Sequence, residues 1–402
     1  MSDIVSITTG GKTLKGWTSV RVTAGVSQAA RSFAVGVTFQ WPDARDVISG
    51  VDLGESCEVY IGSDLVCTGY IFATPISYDA QSVTVSVAGR SKTADIVDCC
   101  PPTASYSASG GSSSGSSDSW AGTGLIGANG QKVQASSSTS SSGAAATQWK
   151  DVKLEAIAAE LCAPFGVEVT TQVSTGAPIT QHAVQPGETV FESINRLLTV
   201  GQLFATDDAA GRLVFTEPGA GGRASGGIEL GVNALTCSSA RDASQVFSSY
   251  IVEGQRSGSD EVFSTSAAQI SAGAADGQIP RYRLLALPQS GEVTPDLCQK
   301  IANFEATRRR ALLKQVTYTV AGWRDASGTL WTPNSLVHVK DTMLGLDEDL
   351  LLSEVEYRLD EGGTVAQLTL APIEAFKQGP AVPKKSSSSD SSSSMWSEVV
   401  VP

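Results

Sequence analysis

Near the end of the chain stands "LLLSEVEYRLDEGGTVAQLTLAP", Leu350–Pro372. A long apolar-rich run, an Asp-Glu-Gly-Gly turn and a second, alternating run read as a β-hairpin, because a period of two puts one set of side chains on each face of a sheet. "SLVHVK" (335–340) precedes it, and the linking loop ends in Asp349-Leu350. The same succession occurs early in the chain: "SCEVYIG" (56–62), "DLVCTGYI" (64–71) and "YDAQSVTVSVAG" (78–89). Loop lengths differ, so the match is one of pattern. It implies two related β units, barrels in form, in one chain.

The rest of residues 1–100 agrees with a first β unit. "VRVTA" (20–24) and "FAVGVTFQW" (33–41) are short and rich in strand formers, and turn signals recur at the spacing of an antiparallel sandwich or barrel. "TGGKT" (9–13) and "GSD" (62–64) read as hairpin turns. Ser91 is expected to cap a short helical turn running to Asp98, with Pro101-Pro102 as its stop. Between 148 and 229 the period changes to that of a small α+β domain. Leu154, Ile157, Ala158 and Leu161 share one helical face, and Pro164 and Gly166 end that helix. A second helix begins at a capping-box pair, Thr189 and Glu192, with Gly201 at its stop. Residues 230–376 return to strands. They include one long helix over 295–313, with Thr294 as N-cap and Pro295 in its first position.

Two segments do not fit any core. Residues 101–147 are almost entirely Ser, Gly, Thr and Ala around one island, "WAGTGLIGANGQKV" (120–133), and are expected to be a flexible insertion. Residues 377–402 form a Ser-rich tail ending in "MWSEVVVP".

Composition limits the function. The chain of 402 residues carries a net charge of −13, with a pI near 4.7. That balance opposes sequence-independent DNA binding, which rests on Lys and Arg neutralising phosphates. Seven scattered cysteines without a CxxC pair fit a reducing compartment, with most thiols buried. The first residues lack a basic and then apolar leader, and no apolar run reaches membrane-spanning length, so neither a signal peptide nor stable membrane insertion is expected.

Catalytic patterns are largely missing. "GSSSG" (111–115) matches a nucleophile elbow but lacks the preceding strand. His182 and His338 are far apart and outside any metal motif; His338 is expected at a surface or interface. Cys99-Cys100 are expected to be reduced and to sit at a domain edge, with at least one packed inward. Arg308–Arg310 is the densest basic cluster, expected to form ion pairs across a subunit interface. Asp207-Asp208 and Asp347–Asp349 read as solvated loops. No catalytic, cofactor-binding or metal residue is nominated. "VQPGETVFESI" (184–194) resembles the turn of a LysM glycan-binding module, and its simpler reading is a helix start.

Taken in order, several stretches resemble the Mu-like phage baseplate hub family, also called the Mu-like tail protein P family. They are "TGYI" (68–71), "GRSKTADIVDC" (89–99), "QWKDVKLEAIAAELCAPFGVEV" (148–169), "VQPGETVFESINRLL" (184–198), "WTPNSLVHVKD" (331–341) and the opening hairpin. The resemblance implies a β-rich α+β fold: two similar tube-type β-barrel domains separated by a small α+β domain, with a flexible Ser/Gly-rich insertion and tail. It implies a homotrimer with a pseudo-sixfold ring, not an enzyme and without cofactors, in the virion tail baseplate, assembled in the host bacterial cytoplasm. Its partners would be the tail tube protein, the central spike protein and other baseplate or tape-measure components, with DNA passing through the channel without specific binding. The insertion and tail depart from the family pattern. The alternatives are a peptidoglycan-binding or lytic tail component acting through residues 184–201, a nucleic-acid binder using Arg308–Arg310, and the hub of a phage-like or type VI injection device.

Overall fold

In a computed structural model of the chain, the structure describes residues 3–40, 51–78, 82–102, 147–255, 269–289 and 294–380. The island at 120–133, the GSSSG stretch and the terminal peptide lie outside the described residues.

The first β region contains β1 (Val5–Thr9), β2 (Lys12–Lys15), β3 (Ser19–Gly25), β4 (Ser32–Gln40), β5 (Ser56–Ile61), β6 (Asp64–Ala73), β7 (Ile76–Tyr78) and β8 (Ser82–Ser91). Both expected hairpin turns form, with Gly10, Gly11 and Gly62 in the left-handed conformation. The glycines of two motif stretches have a packing reason. A Cβ on Gly69 would lie 1.8 Å from the Arg90 carbonyl oxygen, and one on Gly89 would lie 2.4 Å from that of Tyr70. β6 and β8 therefore approach closely only where side chains are missing.

A short helix, α1 (Ala94–Asp98), follows. Thr93, not Ser91, precedes it, and Thr93 makes no side-chain cap bond. The Ser91 hydroxyl is buried and engaged elsewhere: it accepts the Arg31 N–H at 3.1 Å and lies 2.7 Å from the Thr93 hydroxyl. Ile96 of α1 packs into the core of the middle region rather than that of the first sheet.

That middle region holds β9 (Gln148–Val152), α2 (Leu154–Cys162), β10 (Val169–Thr171), β11 (Ile179–Ala183), α3 (Val190–Gly201), β12 (Phe204–Asp207) and β13 (Leu213–Thr216). The expected face of α2 is fully buried. The capping box of α3 is complete: the Thr189 hydroxyl accepts from the Glu192 N–H at 3.2 Å, and the Glu192 carboxylate accepts from the Thr189 N–H at 2.9 Å. Gly201 is still helical; Gln202 takes the left-handed position at φ 57° and closes the helix.

The last region contains β14 (Arg223–Glu229), β15 (Ala234–Ser238), β16 (Ser249–Gln255), β17 (Gln269–Ala275), β18 (Leu284–Gln289), α4 (Pro295–Leu312), β19 (Val316–Ala321), β20 (Leu336–Asp341), β21 (Leu346–Asp360) and β22 (Gly363–Ala371). Thr294 caps α4 through the Leu297 N–H. β16–β18 form their own sheet and share a separate core with α4, built from Tyr250, Val252, Cys298, Ile301 and Ala302.

The other strands of the first and last regions join in one 14-stranded sheet. Its pairings contain a repeat. In the first region the neighbours run β1-β5-β6-β8-β4-β3; in the last they run β14-β20-β21-β22-β19-β15. Numbered by chain order, the two paths are identical. One irregularity coincides, between Ile71 and Ala73 in β6 and between Leu352 and Glu354 in β21, whereas those in the β5–β6, β14–β20 and β15–β19 pairs have no counterpart in the other unit. The one difference in sense lies at the start: β1 meets β5 antiparallel, whereas β14 meets β20 parallel. In each unit the two outermost strands of the path are also near neighbours in sequence, linked by Leu230–Asn233 in the last region. One apolar core runs through both units, from Val5 and Ile7 to Leu368 and Leu370.

Candidate assembly site

The two units meet along a single seam. β3 lies antiparallel to the second half of β21, with Val20 opposite Leu359 and Val22 opposite Tyr357. Alternation of β21 sorts its residues here. Val355 and Tyr357 turn inward and are buried, while Glu354, Glu356 and Arg358 face the other way. Arg21 Nε and Arg358 Nε lie 3.0 and 3.2 Å from Glu356 Oε1, which balances the charge across the strands. Gln28 donates to Glu354 at 3.3 Å, and burial, reinforced by Glu356, pushes the Glu354 carboxyl up. On the inner face the Tyr357 hydroxyl donates to the Trp331 carbonyl, and the Trp323 indole N–H reaches the carbonyls of Arg358 and Val365 at 3.1 and 3.0 Å.

Three polar clamps lock the regions around this seam. Arg31, in the β3–β4 turn, meets Asp207 at the end of β12: its Nε lies 3.2 Å from Oδ1, its backbone N–H donates to Oδ2 at 2.8 Å, and a terminal nitrogen reaches the Asp207 carbonyl at 3.1 Å. The guanidinium also binds the Val66 carbonyl at 3.0 Å. Burial pushes the Asp207 carboxyl up, and Arg31 and Ser91 pull it back. Arg324 spans the two β units, with Asp3 Oδ2 at 2.8 Å and Asp64 Oδ2 at 2.7 Å; hydrogen bonds to both aspartates hold its pKa above the ordinary arginine value. Asn334, buried and left-handed at φ 68°, donates to the Glu217 carbonyl at 2.9 Å and accepts the Gly219 N–H at 2.7 Å. The middle region is thereby tied to both units.

Several residues fall where the sequence did not place them. Asp207 is buried in the first clamp; Asp208 pairs with Arg212 at 2.6 Å. Asp347–Asp349 lie in β21, not in a loop, and face His338, Lys314 and Arg223. His338 is half-exposed on β20; His182 is buried, stacked on Trp149 and 2.9 Å from the Ser193 hydroxyl. Arg308 and Arg309 pair with Glu305, and Arg310 with the fully buried Asp276 carboxylate, so this cluster is satisfied within one chain. Cys99 and Cys100 are both free and exposed, so neither packs inward: α1 ends before them, and Cys99 is already extended. Of the remaining thiols, Cys57, Cys67, Cys162 and Cys298 are buried and Cys237 is exposed; burial raises the Cys57 and Cys162 pKa values to about 12. In the Gly-Glu-Thr turn, Glu188 accepts from the Gln185 N–H and from Arg196, both at 2.7 Å. Arg31 and Arg324 stand alone among apolar and turn residues with no pattern to mark them, whereas "TPNS" around Asn334 carries a turn signal.

Among the described residues no group of three or more His, Cys, Asp or Glu is arranged to hold a metal, and no helix is long and apolar enough to cross a membrane. What the arrangement supplies is a doubled β unit joined along one seam and by three polar clamps. The chain is thus of a β-rich, internally repeated class.

Comparison with known proteins gives that class a family. Residues 4–91 match the N-terminal domain model described as Mu phage baseplate assembly protein GpP-like. Residues 138–217 match the second domain of baseplate hub protein gp44-like, and residues 294–379 match the fourth domain of Mu phage baseplate assembly protein GpP. The chain is 32% identical over 387 residues to baseplate hub protein gp44 of Escherichia phage Mu, covering 94% of this chain and 89% of that protein. It is similar in structure to the 43 kDa tail protein of prophage MuSo2 from Shewanella oneidensis, at a TM-score of 0.74 and 27% identity, covering 94% of this chain and all of that one. The fold is shared with the tail protein from Neisseria meningitidis MC58, at a TM-score of 0.68 and 21% identity over 95% of this chain and all of that one. It is shared too with a chain of the Francisella PdpA–VgrG complex, at 0.51 and 8% identity, over 95% of this chain and 59% of that one. The chain belongs to the Mu-like phage baseplate hub family.

Proposed function

We propose that this chain is the structural hub of a contractile phage baseplate, a homotrimer whose six like β units form a pseudo-sixfold ring around the DNA channel. The observation that carries this reading is the repeated six-strand order. Two equivalent units per chain convert threefold into sixfold symmetry, which a protein between a hexameric tail tube and a trimeric central spike must do. Residues 1–100 and 223–376 would each close as a tube-type barrel, with 148–217 as an α+β brace held by Arg31–Asp207 and Asn334; the expected boundary at 229 moves back because β14 pairs with β20 in the last unit. Other baseplate or tape-measure components would contact the periphery. The net charge of −13 suits a channel through which DNA slides without phosphate pairing. The role is structural, without catalysis, and the site of action is the virion tail after assembly in the host cytoplasm. Multi-angle light scattering of the full chain tests the reading: a mass three times that of one chain supports it, and a stable monomer under all concentrations contradicts it. A hub in a phage-like injection device is a second reading, favoured by the fold shared with the Francisella VgrG complex.

A further inference from the structure

Four aromatic rings converge where the first, middle and last regions meet, at a place that neither the seam nor the clamps use. Phe191 stands in the first turn of α3, Phe204 opens β12, Phe304 lies midway along α4 and Phe376 follows β22. With Val26, just after β3, they line an open cavity of about 430 Å³. Ligand sites typically enclose about 300–1,000 Å³. Phe191, Phe304 and Phe376 are only partly buried, so apolar ring surface faces water here. An apolar hollow with a polar rim marks an interaction site.

Two cations border the cavity, and both are loosely held. Arg308 Nη1 lies 3.8 Å from Glu305 Oε1, and the other oxygen of that carboxylate holds Arg309 at 2.9 Å. Lys377 Nζ lies 3.7 Å from Glu374 Oε1. The two side chains are 44% and 53% exposed. Both separations exceed the ~2.7–2.9 Å of a charge-assisted hydrogen bond, so each cation keeps donors for a further anion.

The chain itself carries a matching segment. It leaves along the cavity: Lys377, Gln378 and Gly379 are part of the lining, and a Cβ on Gly379 would lie 3.1 Å from the Phe304 ring. Beyond Pro380 the sequence runs through the Ser-rich stretch 386–394 to "MWSEVVVP" (395–402), in which Glu398 is the single charge. Trp396 stands sixteen positions beyond Pro380. A flexible linker of that length spans ~22 Å on average, enough for Trp396 to return to where the chain left. Tethering of this kind gives an effective concentration on the order of millimolar. A contact with an intrinsic dissociation constant of about 0.1 mM would then be about nine-tenths formed. The island at 120–133 also has a tryptophan, but its single charge is Lys132, which Arg308 and Lys377 repel.

We propose that the tail peptide, residues 395–401, docks in this cavity of its own chain. The Trp396 ring would sit among Phe191, Phe304 and Phe376, and the Glu398 carboxylate would bind Arg308 and Lys377. An aromatic ring of this size buries about 150–250 Å², which makes Trp396 the anchor. The peptide would staple the first unit, the α+β brace and α4 across their junction. That gives a role to a part of the chain that departs from the family pattern, and it does not depend on the hub reading.

Photo-cross-linking of the full chain tests the proposal. The photoreactive residue p-benzoylphenylalanine is installed in place of Val399, linked peptides are identified by mass spectrometry, and gels show whether the product has the mass of one chain or two. The expected result is linkage to the cavity lining on α3, α4 or residues 375–379 at the mass of one chain, lost with Trp396→Ala. A product with the mass of two chains, links confined to other surfaces, or no link overturns the proposal. Charge reversal is the independent check, because Arg308 is exposed enough to spare the fold. Arg308→Glu is expected to cut the yield severalfold, and Glu398→Lys in the same chain to restore it; a yield indifferent to both changes counts against the site.

Discussion

Arg31→Met isolates the most buried of the clamps. The Arg31 side chain is 15% exposed and that of Asp207 is 1% exposed. Removing one partner of such a pair costs about 3–5 kcal/mol, mostly because a carboxylate is left in a low-dielectric site. Asp207 keeps the Arg31 N–H and the Ser91 hydroxyl as partners, which favours the lower end, ~3 kcal/mol. At about 1.4 kcal/mol per decade this raises local opening roughly a hundredfold. Hydrogen exchange of the amides in β12 and around Arg31 reads that change directly, without assuming that a chain of several modules unfolds in one step. Asp207→Asn should cost less, about 1–2 kcal/mol, because an amide oxygen still accepts from the Arg31 N–H. Arg31→Met with Asp207→Leu should recover most of the loss, since an apolar pair leaves no buried charge. The sign with pH follows from burial, which already pushes the Asp207 carboxyl above its ordinary value. Without Arg31 it is pushed further, so the deficit of the single variant shrinks as pH falls and the carboxyl takes up its proton. A single variant that changes protection less than about threefold, or a double variant as poor as the sum of its parts, would refute the reasoning.

Other consequences are as direct. Thr189→Ala breaks the capping box and should destabilise α3 by about 1 kcal/mol in a urea titration of the intact chain, with Ser restoring most of it. Asn334→Ala removes two tethers and puts Ala at a left-handed position; a loss of about 2–4 kcal/mol is expected, with increased proteolysis near Gly219. Gly69→Ala places a methyl against the Arg90 carbonyl and should cost at least about 1–3 kcal/mol, read as a lower melting temperature or insoluble expression. Burial alone would raise the Asp341 carboxyl, but hydrogen bonds from Tyr318, Leu344 and Met343 outweigh it and hold it below the ordinary value of 3.8. Its contribution is therefore complete above that value and lost as pH falls through the lower folded one, so Asp341→Asn should flatten the acid limb of stability against pH.

The sheets were legible in the sequence because alternation is a local signal. The capping box at Thr189–Glu192 and the start of α4 at Thr294-Pro295 were legible for the same reason, being set by residues three or fewer apart. Pairing between distant strands leaves no such trace. Nothing in "VRVTA" shows that β3 crosses to β21, more than three hundred residues away, and the internal repeat hints at it only once both paths are known. Buried charge was the other failure. Asp207-Asp208 has the composition of a loop, and only the arrival of Arg31 from the first unit makes Asp207 an interior residue. Arg308–Arg310 misled for the opposite reason. A dense basic run suggests a partner outside the chain, yet Glu305 lies one helical turn away and Asp276 on the neighbouring sheet. Ser91 was well placed for a cap by spacing, but its hydroxyl serves the Arg31 N–H and Thr93.

The central claim is that two like units per chain build a sixfold ring from three chains. A cryo-electron microscopy reconstruction of the purified full-chain oligomer, refined without imposed symmetry, tests it most directly. The account predicts a closed ring with true threefold symmetry and six similar β lobes around an open channel, with first and last units alternating. An open chain of subunits, or a closed ring whose two units occupy different radii, would contradict it.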